Sequence, residues 1–168
     1  DEDTPQKVKV LMNQLDIDEN ILEVVKPCLD KSKKENKPVI ALKLPNKKII
    51  TGKETDLLSP ASSLIINAIK EMTKIPDEMK LLSPAVLEPI LKLKNNFDNK
   101  LQLQETLIAL SICSVTNPII EEALNNIKKL ENCEAHSSYI VQNDEFKTLK
   151  KLKINLTCEP SYYSDSLY

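Results

Sequence analysis

The sequence holds one glycine in 168 residues, one histidine, no tryptophan and no arginine. Average usage would supply about 12 glycines, at roughly 7% of a chain. A dinucleotide fingerprint, a phosphate-binding P-loop and a nucleophile elbow each need two or more glycines at fixed spacing, so none can be built here. Without arginine there are no bidentate clamps on carboxylate or phosphate, a geometry that lysine cannot imitate. Aromatics are 4% of the chain, too few for recognition by stacked rings. The net charge of −2 offers no basic stripe to a nucleic acid. The longest apolar stretch, Leu107 to Val115, is too short and too polar to span a bilayer. Neither nucleic acid nor membrane is expected as a partner.

What remains is ordinary for a globular chain, with 41% hydrophobic and 29% charged residues. The length suits one domain, or one domain plus an appendage. The acidic start, Asp1-Glu2-Asp3-Thr4, has no apolar core, so no signal peptide is visible. Cys28, Cys113, Cys133 and Cys158 are widely spread and read as reduced thiols, which points to the cytoplasm. The first residue is not methionine, and the chain reads as a fragment or a trimmed form.

Periodicity divides the chain into a helical segment over 1–37, an α/β domain over 38–160 and a tail over 161–168. Val8, Leu11, Met12 and Leu15 make a helix of 5–15, and a second stretch, 18–36, is expected to break at Pro27. Val39 to Leu44 and Lys48 to Thr51 read as two strands around the turn Pro45-Asn46-Lys47. Ser59 and Pro60 then open a helix with an apolar stripe through Ala61, Leu64, Ile65, Ala68, Ile69 and Met72. Met79 to Ser83 is a strand candidate, and the helix after Ser83-Pro84 should kink or end at Pro89. Residues 103–116 look apolar on nearly every side, hence central and buried. A helix from Asn117-Pro118, a strand from Ala135 to Val141, a helix over 144–152 and a strand over 154–158 complete the order. That order predicts a three-layer α/β/α sandwich with a mixed sheet, an antiparallel hairpin plus parallel crossovers. Asn36, Asn46, Asn132 and the pair Asn95-Asn96 stand where glycine would serve as cap or turn, a role that asparagine tolerates.

Three groupings carry candidate chemistry. Thr51, Gly52, Lys53 and Thr55 precede a helix start, where backbone N–H groups attract anions. The upstream glycine of a P-loop is missing, and a strand-to-helix turn with a solvated lysine is the plainer reading. Cys133, His136 and Cys158 have the ligand chemistry of zinc, yet His136 should lie on the opposite strand face from Cys133. Lys53, Glu134, His136 and Glu159 are the residues able to do acid–base work, against the commoner reading of a polar strand face.

Several strings are familiar together. Ile50-Thr51-Gly52-Lys53, Leu82-Ser83-Pro84 running to Leu87-Glu88-Pro89-Ile90, and Leu107 to Ser111 with Thr116-Asn117-Pro118 resemble a bacterial family, domain of unknown function 1846. So do Cys133-Glu134-x-His136-Ser137 and Ile154 to Pro160, and the match runs in order from about residue 5 to 160. The resemblance is to the C-terminal part of proteins about three times this long. It implies a cytidine-deaminase-like topology and, as partner, an absent N-terminal region that is P-loop-like. Some members bear the label ATP-dependent peptidase. The chain departs from the family at Asn36, Lys47, Asn132 and Lys153, which stand where glycine is more usual.

The expectation is a module that packs against that region, and completes a site with it, with no cofactor of its own. Whether the longer protein binds one is left open, as is whether the chain is an enzyme. The alternatives are a purely structural or homo-oligomerisation module and, behind it, a metal-dependent hydrolase.

Overall fold

The computed structural model describes residues 20–94 and 100–160, with side chains from residue 23 onward. The expected helix of 5–15, the Asn95-Asn96 helix end and the tail 161–168 lie outside the described residues.

Helix α1 (Asn20–Glu35) places Val24 and Cys28, four residues apart, on one side, where they pack on Val39 and Ala41. It runs through Pro27 and does not break there. The two anchors flank the proline and hold both halves on the same surface, which offsets the lost helical hydrogen bond. The hairpin follows as β1 (Val39–Lys43) and β2 (Ile49–Lys53), closed by Lys47 N–H to Leu44 O at 2.8 Å.

Helix α2 (Pro60–Thr73) starts at Ser59, whose hydroxyl accepts from Ser62 N–H. Its stripe of Ala61, Leu64, Ile65, Ala68 and Ile69 is fully buried. Met79 to Ser83 is not a strand: it is a run of bends. Leu81 and Leu82 both enter the core, and adjacent residues of a flat strand would point to opposite faces. Helix α3 (Pro84–Lys94) continues past Pro89. The carbonyl left without its hydrogen bond belongs to Ala85, which is exposed and can be solvated.

Helix α4 (Leu103–Ser114) buries Leu103, Thr106, Ala109, Leu110 and Cys113. The central, all-round burial expected of it does not occur, because no described element lies on its other side: Ile108, Ile112 and Val115 are 53%, 50% and 82% exposed. Helix α5 (Pro118–Asn125) is capped by Asn117 and passes into a 3-10 turn (Asn126–Leu130). Strand β3 (Glu134–Ser137), helix α6 (Asn143–Lys151) and strand β4 (Asn155–Cys158) end the fold.

The result is an α/β fold with six α-helices and a four-stranded mixed sheet among the described residues, in the order β2-β1-β3-β4. β1 is antiparallel to both neighbours, and β3 and β4 form the one parallel pair, joined by α6. The plural parallel crossovers expected from sequence thus reduce to one, since β3 enters the sheet against β1. Along β1, Val39 and Ala41 face α1 while Ile40 and Leu42 face the larger cluster with α2, so helices cover both faces.

Among the described residues five non-glycine positions have positive φ: Asn36 (51°), Lys47 (72°), Lys74 (58°), Asn132 (66°) and Lys153 (60°). Four of them, Asn36, Lys47, Asn132 and Lys153, are the positions at which the resemblance led glycine to be expected. Asn46 is not among them; it supports the hairpin through its side chain, which accepts from Lys48 N–H at 3.0 Å.

Candidate functional site

The register fixes which residues share an edge of the sheet. Both β2 and β3 oppose β1, and β4 parallels β3, so the C-terminal ends of β2, β3 and β4 meet on one side. Ligands of open α/β sheets bind at such ends. Lys53, Ser137, Cys158 and Glu159 stand there. Glu134 does not: it begins β3, and at that opposite edge Asn155 Nδ2 donates to its carboxylate at 3.1 Å.

His136 lies in register with Ala41, on the α1 face, and is 6% exposed. Its Nδ1 is 2.7 Å from Thr157 Oγ1 and its Nε2 is 3.0 Å from Glu159 Oε1. The carboxylate accepts only, which fixes Nε2 as a donor. The Cys28 thiol lies within hydrogen-bond distance of the backbone carbonyls of His136 (3.1 Å) and Val39 (3.3 Å), between which its one hydrogen is shared. Burial pushes the Cys28 thiol up to about 12, so this cysteine packs and does not act as a nucleophile. His136 and Glu159 are the candidate acid–base residues that the fold brings together.

The metal candidates are separated. Cys158 is paired with Ser137, one residue along from His136, and so lies on the other sheet face. Cys133 precedes β3 and alternates to that same face. Burial raises both thiols. Among the described residues no group of three or more His, Cys, Asp or Glu could hold a metal ion.

Of the anion candidates, Gly52 is closed to any ligand. A Cβ built on it would lie 2.2 Å from Leu64 N and 2.5 Å from Pro60 O, so the first turns of α2 rest directly on the strand. Thr51, Lys53 and Thr55 remain accessible and line a pocket of about 270 Å³ with Lys31, Ser63 and Asn67. Lys53 Nζ donates to Glu35 at 3.0 Å, and Lys31 reaches the same carboxylate at 3.2 Å. The Lys53 hydrogen bond, seconded by that of Lys31, holds the Glu35 carboxyl below its usual range.

Sequence reasoning missed Glu145. This buried carboxylate in the first turn of α6 accepts from the Ser59 hydroxyl at the α2 cap and from Leu103 N–H at the start of α4, at 3.2 Å for the latter. Three helix N-termini therefore share one negative charge, the sign that their dipoles favour. The Ser62 hydroxyl extends the network to Leu101 O at 3.0 Å and receives the Thr106 hydroxyl at 2.8 Å. Nothing local marks Glu145, since an acid in a first turn is commonplace. Nearby, the Tyr139 hydroxyl is buried without a partner among the described residues, and burial drives the phenol far upward.

Among the described residues two apolar surfaces stand out as open. One is the outer side of α4 with Ile119 of α5, the latter 42% exposed. The other is a groove of about 610 Å³ walled by Leu58, Ile66, Leu81, Leu82, Leu87 and Leu91.

Comparison with known proteins matches the chain to part of longer bacterial proteins. The family described as "Domain of unknown function DUF1846, C-terminal" matches residues 20–168. A UPF0371 protein of Clostridium tetani is 39% identical over all of this chain, which covers 36% of that protein. One from Clostridium botulinum (strain Eklund 17B / Type B) is 41% identical with the same coverage. A third, from Clostridioides difficile, is 38% identical over 96% of this chain and 35% of its own length. The chain thus spans about a third of the relatives it matches, which are about 2.8 times as long. By its matched length and its identity to these bacterial proteins, the chain belongs to the DUF1846 family, within the family's C-terminal domain.

Proposed function

We propose that the chain is the C-terminal module of a longer cytoplasmic bacterial protein and docks on that protein's N-terminal region through the outer face of α4 and α5. One observation carries this: Ile108, Ile112 and Val115, at i, i+4 and i+7, stand about half exposed or more, with Ile119 following. Such spacing is that of a helix face made to be covered. The relatives supply enough additional chain to cover it. Lys53 and the His136–Glu159 pair, at the strand ends, are the groups the module would contribute to a shared site. Any nucleotide site of the longer protein falls outside this module, because a chain with one glycine lacks a phosphate loop. The strand order, with β1 opposed to the other three and α6 between β3 and β4, supports the cytidine-deaminase-like topology.

Ile112→Lys tests the docking. In the chain alone it should cost no more than about 0.5 kcal/mol, as at any exposed site. In the longer protein the same change forfeits burial of the half of the isoleucine that is still exposed, about 0.8–1.5 kcal/mol, and buries a lysine besides. Equal effects in both would refute the docking, and dimerisation of the chain alone, lost in Ile112→Lys, would give the face to a second copy instead.

A further inference from the structure

We infer that Thr157 is a hydroxyl nucleophile for acyl transfer, with His136 as its base and Glu159 orienting that base; a short-chain acyl ester is the class of substrate it takes. This deepens the reading of His136 and Glu159 as a working pair, and it does not rest on docking through α4 and α5. The parallel register brings the three groups together. Thr157 is paired with His136, so both side chains leave the same face of the sheet, and Glu159 follows two residues on. The Glu159 carboxylate accepts from Nε2–H at 3.0 Å, while Nδ1 lies 2.7 Å from Thr157 Oγ1. The other acceptor near that hydroxyl, Ala135 O, is farther away at 3.3 Å, so the hydroxyl hydrogen points to Nδ1. A neutral imidazole with its bare nitrogen on a hydroxyl and its N–H on a carboxylate is poised to take the proton as the oxygen attacks.

The base is shielded and the hydroxyl is reachable. α1 packs across β1, β2 and β3, and His136 on that face is buried. Thr157 stands on the edge strand β4, is only half-buried, and lines a pocket of about 300 Å³ with Asn155, Phe146 and Leu156. That volume holds a short acyl group and its alcohol. The free edge of β4 also offers a donor to the oxyanion that develops on the carbonyl. Asn155 N–H and Glu159 N–H turn inward, to Cys133 O at 3.0 Å and Ser137 O at 2.9 Å. Alternation along the strand then turns the N–H of Cys158, the residue after Thr157, outward along the edge. In the reaction Thr157 Oγ1 bonds to the ester carbonyl carbon while Nδ1 takes its proton. The bond from that carbon to the alcohol oxygen breaks, and the alcohol leaves with the proton from Nδ1. Water attacks the acyl-threonine by the same route, which releases the carboxylic acid and restores the hydroxyl.

The test is labelling with a fluorophosphonate, whose fluoride an activated hydroxyl displaces, applied to this chain and to the longer protein and read by mass spectrometry of the peptide that carries Thr157. One label should appear at Thr157, and labelling should slow as acid protonates Nδ1. His136→Gln should slow it about a hundredfold, the usual worth of a general base. Glu159→Gln keeps an acceptor on Nε2–H, and with it the fold, and should slow labelling to a lesser degree. Thr157→Val should abolish the label and Thr157→Ser should restore it, a rescue that a hydrogen bond serving only the fold does not produce. The urea-unfolded chain is the control, since its threonines are not activated. Labelling of Thr157 no faster than in that control, in both proteins, would overturn the inference, and so would labelling that His136→Gln and Glu159→Gln both leave unchanged.

Discussion

The contact at Gly52 sets a sharp demand on the fold. A methyl group added there would lie 2.2 Å from Leu64 N, 2.5 Å from Leu64 Cα and 2.5 Å from Pro60 O. To reach ordinary contact at 3.4 Å, Leu64 N would have to retreat by about 1.2 Å, taking the start of α2 with it. The obstructing atoms are backbone, so no rotamer change relieves them. Leu64, Ile65 and Ala68 also anchor α2 in the core. Overpacking of this kind costs about 1–3 kcal/mol, and backbone contacts belong at the upper end. Reduced freedom of the unfolded chain returns about 0.4–1 kcal/mol. Gly52→Ala should therefore lose roughly 2 kcal/mol, or about 4–8 °C in Tm for a domain of this size. Urea unfolding should show a lower midpoint with an unchanged slope. The double variant with Leu64→Ala should not recover the loss, since that side chain is not what obstructs the methyl group. A Gly52→Ala chain as stable as the parent, or a rescue by Leu64→Ala, would refute the reasoning.

Other parts of the structure carry equally direct expectations. Glu145→Ala should lose about 2–4 kcal/mol, because Ser59 and Leu103 N–H both lose a buried acceptor, while Glu145→Gln keeps a carbonyl there and should lose less; urea midpoints compare the two. Lys47→Gly and Lys153→Gly should each gain about 0.5–1 kcal/mol in thermal unfolding, since glycine adopts their positive φ without the Cβ conflict. Cys28, its thiol raised to about 12, should resist iodoacetamide at pH 8 while the half-buried Cys158 is modified first, and mass spectrometry after digestion should find all four cysteines modified once urea unfolds the chain.

Local chemistry explains which features the sequence revealed. Ser59-Pro60 and Asn117-Pro118 mark helix starts by short-range hydrogen bonding and fixed φ, and both form as expected. Asn36 and Asn132 mark left-handed helix ends for the same kind of reason. Pro27 and Pro89 misled because the forces that carry a helix through them are tertiary or solvent-borne, in Val24 and Cys28 on the sheet and in the solvated carbonyl of Ala85. The outer face of α4 was equally hidden: its composition says apolar, and only the packing shows that no described residue covers Ile108 and Ile112. At the site, strand alternation already separated His136 from Cys133. The meeting of His136 with Glu159 depends on the parallel register of β3 and β4 across 23 residues, which composition does not encode.

Hydrogen exchange over residues 108–119 tests the central claim, that α4 and α5 form the docking face of a module. It should be measured on the longer protein and on this chain alone under one set of conditions. Docking predicts slower exchange for the amides of the α4–α5 segment in the longer protein, with β1 and β3 unchanged. Identical exchange in the two proteins would contradict it.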